Sequence, residues 1–219
     1  MAAGRSRWKK SAIGAKEKEF MNEELIEEIA KVVKQRCYHS DNVFGAGIWS
    51  HHITSVVTNG IKLAKQYQAD VEIVTLAALL HDIASITKAE YISEHHLIGA
   101  DIAEELLRDF HYPQEKIEHV KQCILNHRGS KMATKQTIEE ICVADADAIA
   151  HFDNLPSLFS LVYKEKQLSI DEGASWIKAK LQRSYLKLSD ESKEFYQGKY
   201  ESVMSIFESL SEHKKPSKK

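Results

Sequence analysis

VEIVTLAALLHD, residues 71–82, joins an apolar run to a histidine–aspartate doublet. Val74, Ala78 and His81 fall at i, i+4 and i+7 and so share one helical face. The spacing predicts a buried helix from Val71 to Ile83 that delivers His81 and Asp82 to its end. Two adjacent metal-capable side chains are costly to desolvate there unless something binds them. A divalent cation answers that cost, because it takes neutral imidazole and ionised carboxylate together. Others of the same kind lie along the chain: His51-His52 upstream, His95-His96 and His127 downstream, then Asp145 and Asp147.

Outward from this helix the same helical period recurs. Residues 21–37 place Leu25, Ile29, Val32 and Val33 on one side, and the turn signal SDNVFGAG precedes a helix from Ser50 to Gln68. ASITKAEYIS reads as a loop, followed by a helix from His95 to Phe110 with Ile98, Ile102 and Leu106 in register. Tyr112-Pro113 breaks it, and Pro113 suits the first turn of the next helix, which carries Ile117, Val120, Ile124 and His127 on one face. In NHRGS, Gly129 stands where a helix C-cap is expected. A helix over 137–152 follows. Charge-rich helices are then expected over 156–166, 170–188 and 190–211, with SxxE and SxxD pairs, and Ser189, as helix starts.

Nine glycines, three prolines and little period-two alternation make the fold class all-α. The expected organisation is a flexible N-terminal arm over 1–20 and a metal-binding helical domain over 21–155. C-terminal helices over 156–211 would pack on that core, ahead of a disordered tail at 212–219.

Composition narrows the function. Hydrophobic content of 43% and charged content of 28% are those of a soluble globular chain. Thirty basic against thirty-two acidic residues, a net charge of −2, argue against a dedicated nucleic-acid binder. Cys37, Cys123 and Cys142 are scattered without a CxxC and read as reduced core residues. No apolar stretch reaches the roughly 18 residues that span a bilayer, and the basic N-terminus has no apolar signal region. A cytoplasmic location without a membrane partner is the expectation, and a homo-oligomer is compatible with it.

His52, His81-Asp82 and Asp147 make an ordered pattern of His, His-Asp and a distant Asp, accompanied by HHLIGADIAEELL from residue 95 and ILNHRGS from residue 124. On these motifs the chain resembles the HD superfamily of metal-dependent phosphohydrolases, across residues 48–155. WIKAKLQRSYLKLSDESKEFY, from residue 176, is similar to the C-terminal segment of small bacterial and archaeal members. The resemblance implies an HD-domain-like helical bundle with a helical C-terminal flank. It also implies one divalent ion held by His52, His81, Asp82 and Asp147. His95 and His127 match histidines that hold a second metal in some branches and contact the substrate phosphate in others. Likeness prefers His52 to His51 and His95 to His96.

For the last carboxylate two readings stand. Helical period groups Asp145 with Ile138, Ile141, Cys142, Ile149 and Phe152, and a carboxylate in an apolar stripe needs a partner. Likeness points instead to Asp147, roughly two hundred degrees around the helix. Asp147 is favoured, with Asp145 as the alternate ligand or as a residue orienting a ligand from behind. One departure concerns the substrate: Ile83 is followed by Ala84 and Ser85, where branches that hydrolyse cyclic dinucleotides carry Ile-Gly-Lys. A glycine-tyrosine-proline motif is absent too, so cyclic di-GMP hydrolysis is disfavoured. Lys88, on the following loop, is the candidate replacement for that lysine.

The implied chemistry is metal-assisted hydrolysis of a phosphoester or phosphoanhydride in a nucleotide or small phosphorylated metabolite. Asp82 would both ligate the metal and orient a water. His95 and His127 would hold a second metal, hydrogen-bond the phosphate or protonate a leaving oxygen. Arg128 is a candidate phosphate clamp. Mixed N/O ligation suits Mn, Fe, Co, Ni or Zn better than Ca, with Mg also a candidate. Lys178, Lys180, Arg183 and Lys187 form a basic face that reads as solvated, and Trp49 and Trp176 read as core or rim packing. No nucleophile motif and no phosphate-cradling glycine loop is present. Two other functions stay open: a di-iron oxygenase on the same scaffold, and a non-catalytic metal- or nucleotide-binding regulator.

Overall fold

Asp70 starts the decisive helix by accepting hydrogen bonds from the backbone N–H groups of Glu72 and Ile73 at 2.9 and 3.1 Å, an N-cap that satisfies two otherwise orphaned donors. The computed structural model describes residues 22–128 and 135–212. Among them the chain forms α1 (Glu23–Cys37), α2 (Thr54–Tyr67), α3 (Val71–Leu80), α4 (His95–Asp109), α5 (Gln114–Asn126), α6 (Ile138–Asp153), α7 (Leu155–Ser160), α8 (Ile170–Lys187) and α9 (Asp190–Glu212). No strand occurs among the described residues, so the fold is all-α.

α6 is the hub. It packs against α2, α3, α5, α8 and α9, and every residue from Cys142 to Phe152 is buried. α3 is similarly enclosed, with Glu72 to Leu80 all buried. A helix surrounded in this way has no single apolar face, so a periodicity argument cannot tell its inside from its outside. Gly60 lets α2 approach α3 and α6: a Cβ there would lie 3.1 Å from Val74 Cγ1 and 3.8 Å from Ala146 Cβ. The main core joins Ile29 and Val33 of α1, Leu76 and Leu80 of α3, Leu107 of α4 and Ile124 of α5. A second apolar cluster, built on Phe152, Leu158, Val162, Ile177, Leu181 and Phe207, seats α7, α8 and α9 on the end of α6.

Several boundaries differ from expectation. α3 stops at Leu80, three residues early, because the backbone tightens there: Ile83 N–H donates to Leu80 C=O at 3.0 Å. α2 is entered through a π-helical turn, Trp49–Ile53. The expected loop after Ile83 contains a 3₁₀ turn, Ala89–Glu94. Pro113 occupies the N-cap of α5 and not its first turn. The helix expected over 156–166 is divided into α7 and a π-helical turn, Leu161–Glu165. Ser169 and Glu172 form a reciprocal capping box at the start of α8. Gly129, the arm before residue 22 and the tail after residue 212 lie outside the described residues.

All three cysteines are free and buried. Trp49 packs against the main core and Trp176 against the second cluster. No helix among the described residues is long and apolar enough to cross a membrane.

Candidate metal centre

Four helix termini converge on one point. His52 arrives on the π-helical turn before α2, and such turns are common at functional sites. His81 and Asp82 follow α3, His95 opens α4, His127 follows α5, and Asp147 projects from the middle of α6. His81, His95 and His127 share one local device: each ring Nδ1 meets the carbonyl three residues earlier, Ala78 at 2.8 Å, Ile92 at 2.8 Å and Ile124 at 2.5 Å. With Nδ1–H donated to a carbonyl, the Nε2 lone pair is left to face the cluster.

Those Nε2 atoms are brought against one another. His95 Nε2 lies 3.2 Å from His127 Nε2, and His52 Nε2 lies 3.2 Å from His81 Nε2. Two acceptors at that distance repel unless a cation or a proton sits between them. Asp82 spans the two pairs. Its Oδ2 is 3.5 Å from His52 and 3.4 Å from His81, while its Oδ1 is 3.6 Å from His95. Asp147 Oδ1 stands 3.4 Å from His52 and 3.9 Å from His81. Two triads result, His52–His81–Asp147 and Asp82–His95–His127, each with its ligand atoms within 4.8 Å of one another.

The electrostatics agree with the geometry. Burial alone would raise the Asp82 pKa, but His81, His52 and His95 hold it well below the usual carboxylate range. Asp147 is likewise held well below its usual value against burial, chiefly by Lys187, with which it ion-pairs. Burial also drives His127 down to about 3, aided by the His81 charge, so its ring stays a neutral ligand. His81 moves the other way: Asp82 and Asp147 outweigh burial and raise it. The site therefore holds two ionised carboxylates among imidazoles that face inward. That donor set fits a divalent transition metal by its own chemistry.

Other expected residues fall outside the cluster. Asp145 is fully buried, but its carboxylate accepts from Ser189 N–H at 3.0 Å and from the Ser189 hydroxyl. The partner that its apolar surroundings demanded is thus the start of α9, and Asp145 neither joins the triads nor orients one of their histidines. His51 is exposed and bonds with Ser50 and with the Gly47 carbonyl. His96 is buried beside the His95 ring and contributes no atom to either triad. Lys88 turns to Glu90 at 3.8 Å and lies over the Tyr91 ring, with no contact to the cluster. Arg128 donates to the Ser93 carbonyl, at the turn just before His95.

Two participants escaped the sequence reading. His151, one helical turn after Asp147, sets its ring tilted at 33° and 5.0 Å from that of His52, with Nδ1 3.9 Å from Asp147 Oδ1. Its i+4 spacing from Asp147 was the available signal. Lys187, read as solvated, is buried and ion-pairs with Asp147. Nothing in a charge-rich helix distinguishes a lysine that will face a carboxylate across a helix crossing.

Comparison with known proteins follows the same lines. The HD domain family model matches residues 49–151. Bacillus subtilis YpgQ, in a structure in complex with ADP, is 20% identical, with 88% of this chain and 98% of that chain covered at a TM-score of 0.63. An HD-superfamily hydrolase of Bacillus thuringiensis is 19% identical over 87% of this chain and 97% of that one, at a TM-score of 0.60. At such identities the likeness shows the fold. A tRNA (cytidine(56)-2'-O)-methyltransferase of Thermoplasma volcanium is 30% identical over 139 residues, 61% of this chain and 40% of that protein. The chain spans less than half the length of the curated relatives it matches.

Proposed function

Residues 49–151 being an HD domain, we propose that the chain is a metal-dependent phosphohydrolase cleaving a phosphoester or phosphoanhydride in a nucleotide or small phosphorylated metabolite. One observation carries the reading: inward-facing imidazole nitrogens 3.2 Å apart, in two pairs, with the Asp82 carboxylate between them. His52, His81, Asp82 and Asp147 are the proposed ligands of one ion. Asp82, His95 and His127 are those of a second. A divalent ion held there supplies Lewis acidity toward a phosphoryl oxygen and a water acidified toward neutrality.

The chain's own groups do the rest. Asp82, held ionised, can orient a water beside it by accepting its hydrogen bond. His151 is kept neutral by burial and by the Lys180 charge, so it offers a hydrogen-bonding ring and no charge beside Asp147. Arg128 spends one N–H on the Ser93 carbonyl, in the turn that leads into His95, and keeps its other donors for a phosphate oxygen. Lys88 is assigned no role. The nucleotide class is supported by the ADP bound to the structurally similar Bacillus subtilis protein.

The test is elemental analysis of the purified protein, joined to a phosphate-release screen over nucleotides with Mn, Mg, Co, Ni, Zn and Fe. Metal-dependent phosphate release supports the reading. Two irons per chain with oxygen consumption and no phosphate release would transfer the assignment to an oxygenase. Tight nucleotide binding without turnover under every metal would make the chain a regulator.

A further inference from the structure

The family model ends at residue 151, yet the residues that contact the metal cluster do not. α8 packs against α6. Lys180, Ser184 and Lys187 are four and three residues apart on α8 and so line one face of it. That face meets Asp147 and His151, one turn apart on α6: Lys187 ion-pairs with Asp147, and Ser184 Oγ lies 3.3 Å from His151 Nδ1. Lys180 continues the stripe by one turn on the same face of α8, near enough for its charge to act on the His151 ring.

The two lysines differ in what they find there. Lys187 has a carboxylate. Lys180 makes no hydrogen bond or ion pair with any described residue, although its charge is felt by His151 and interacts with Asp147 and Asp82. Burial lowers the Lys180 pKa and the attraction of Asp147 opposes it only in part. A half-buried ammonium without a carboxylate partner is unfavourable by itself and becomes favourable when an anion arrives.

We propose that Lys180 is a phosphate-binding residue of this site, contributed by the C-terminal flank, with Lys187 as the positioning residue that pins α8 to Asp147. The inference rests on the phosphohydrolase reading and adds to it. Asp82 and Asp147 repel an incoming phosphate, and Lys180 offsets that repulsion. The flank is then part of the binding site and not only a support for it.

The probe is inorganic phosphate, titrated into Mn-loaded full-length protein by calorimetry, with the wild type beside Lys180→Met, Lys180→Arg and Lys178→Gln. Methionine keeps the packing of the lysine stem, arginine keeps the charge, and Lys178 lies off the stripe. Lys180→Met should weaken phosphate binding on the order of tenfold, the scale of one lost charge-assisted hydrogen bond. Its Mn affinity and helix content should stay at wild-type values, Lys180→Arg should recover most of the loss, and Lys178→Gln should bind as the wild type does. Wild-type phosphate affinity in Lys180→Met would overturn the inference while leaving the phosphohydrolase reading intact. A wild type that binds Mn but no phosphate, and releases none from any nucleotide, would overturn both.

Discussion

Asp145→Ala separates the two aspartates that the sequence left in competition. The Asp145 carboxylate is fully buried and accepts two hydrogen bonds from Ser189, one from its backbone N–H at 3.0 Å and one from its hydroxyl. Ser189 in turn accepts from Ser192 N–H at 3.3 Å, so these contacts hold the first turn of α9 against α6. Hydrogen bonds to a charged acceptor are worth about 1.5–3 kcal/mol each, so the pair sets an upper range of roughly 3–6 kcal/mol. Ser189 is only half-buried, and water can replace part of what the carboxylate gave it. The lower end, about 3 kcal/mol, is therefore expected. For a chain of this size that is a fall in Tm of roughly 6–12 °C.

The assay is urea or thermal unfolding followed by circular dichroism, together with elemental analysis of the folded variant. Metal content should match the wild type, because no Asp145 atom belongs to either triad. A well-folded Asp145→Ala that had lost its metal would refute the placement of Asp145 on Ser189 and restore it as a ligand. A loss below about 1 kcal/mol would refute the argument that this carboxylate anchors α9.

His81→Ala and Asp147→Ala should each abolish metal retention and phosphate release while leaving helicity largely intact; either variant with metal still bound and full activity would remove that residue from the site. Gly99→Ala should stabilise the protein by about 1 kcal/mol, because a Cβ there meets neighbours at 3.7 Å or beyond and alanine is the better helix former. Gly60→Ala should destabilise it by about 1–3 kcal/mol, since the 3.1 Å approach to Val74 forces a shift in a packed interior; urea midpoints that fail to order the two glycine variants oppositely about the wild type would refute both packing arguments. The His119–Glu139 pair, 3.2 Å apart, makes stability pH-dependent. Glu139 raises the His119 pKa above 6.5, a contribution present below that value and lost as pH rises through the folded pKa. Against burial, His119 and the Asp70 N–H hold Glu139 down to about 2, a contribution present above 4.5 and lost as pH falls from there toward about 2. The stability gap between wild type and His119→Gln should therefore be widest between about pH 4.5 and 6.5 and shrink on both sides, and urea midpoints showing a flat gap across pH would refute the coupling.

What was legible in the sequence is what depends on one helix at a time. α1 and α5 bury a single face, so the spacing of Leu25, Ile29 and Val33, or of Ile117, Val120 and Ile124, marks both the helix and its inner side, whereas α4 buries His96, Gly99, Ala103 and Leu107 while the stripe Ile98, Ile102 and Leu106 stays half-buried. The same logic failed at α6, where both Asp145 and Asp147 are buried and the stripe that singled out Asp145 was one buried face among several. Their difference lies in what crosses each face: Ser189 meets one, and the π-helical turn carrying His52 meets the other. His151 and Lys187 went unread for the same reason. Their partners, His52 and Asp147, are 99 and 40 residues away in sequence, and only the crossing of α6 by α2 and α8 brings them near. His81, His95 and His127 were easier, because each sits at a helix terminus and turns its Nδ1 onto its own preceding turn, a local arrangement that leaves Nε2 for the cluster. A helix end thus announces its histidine, whereas a residue in the middle of a fully enclosed helix takes its role from whichever neighbour packs there.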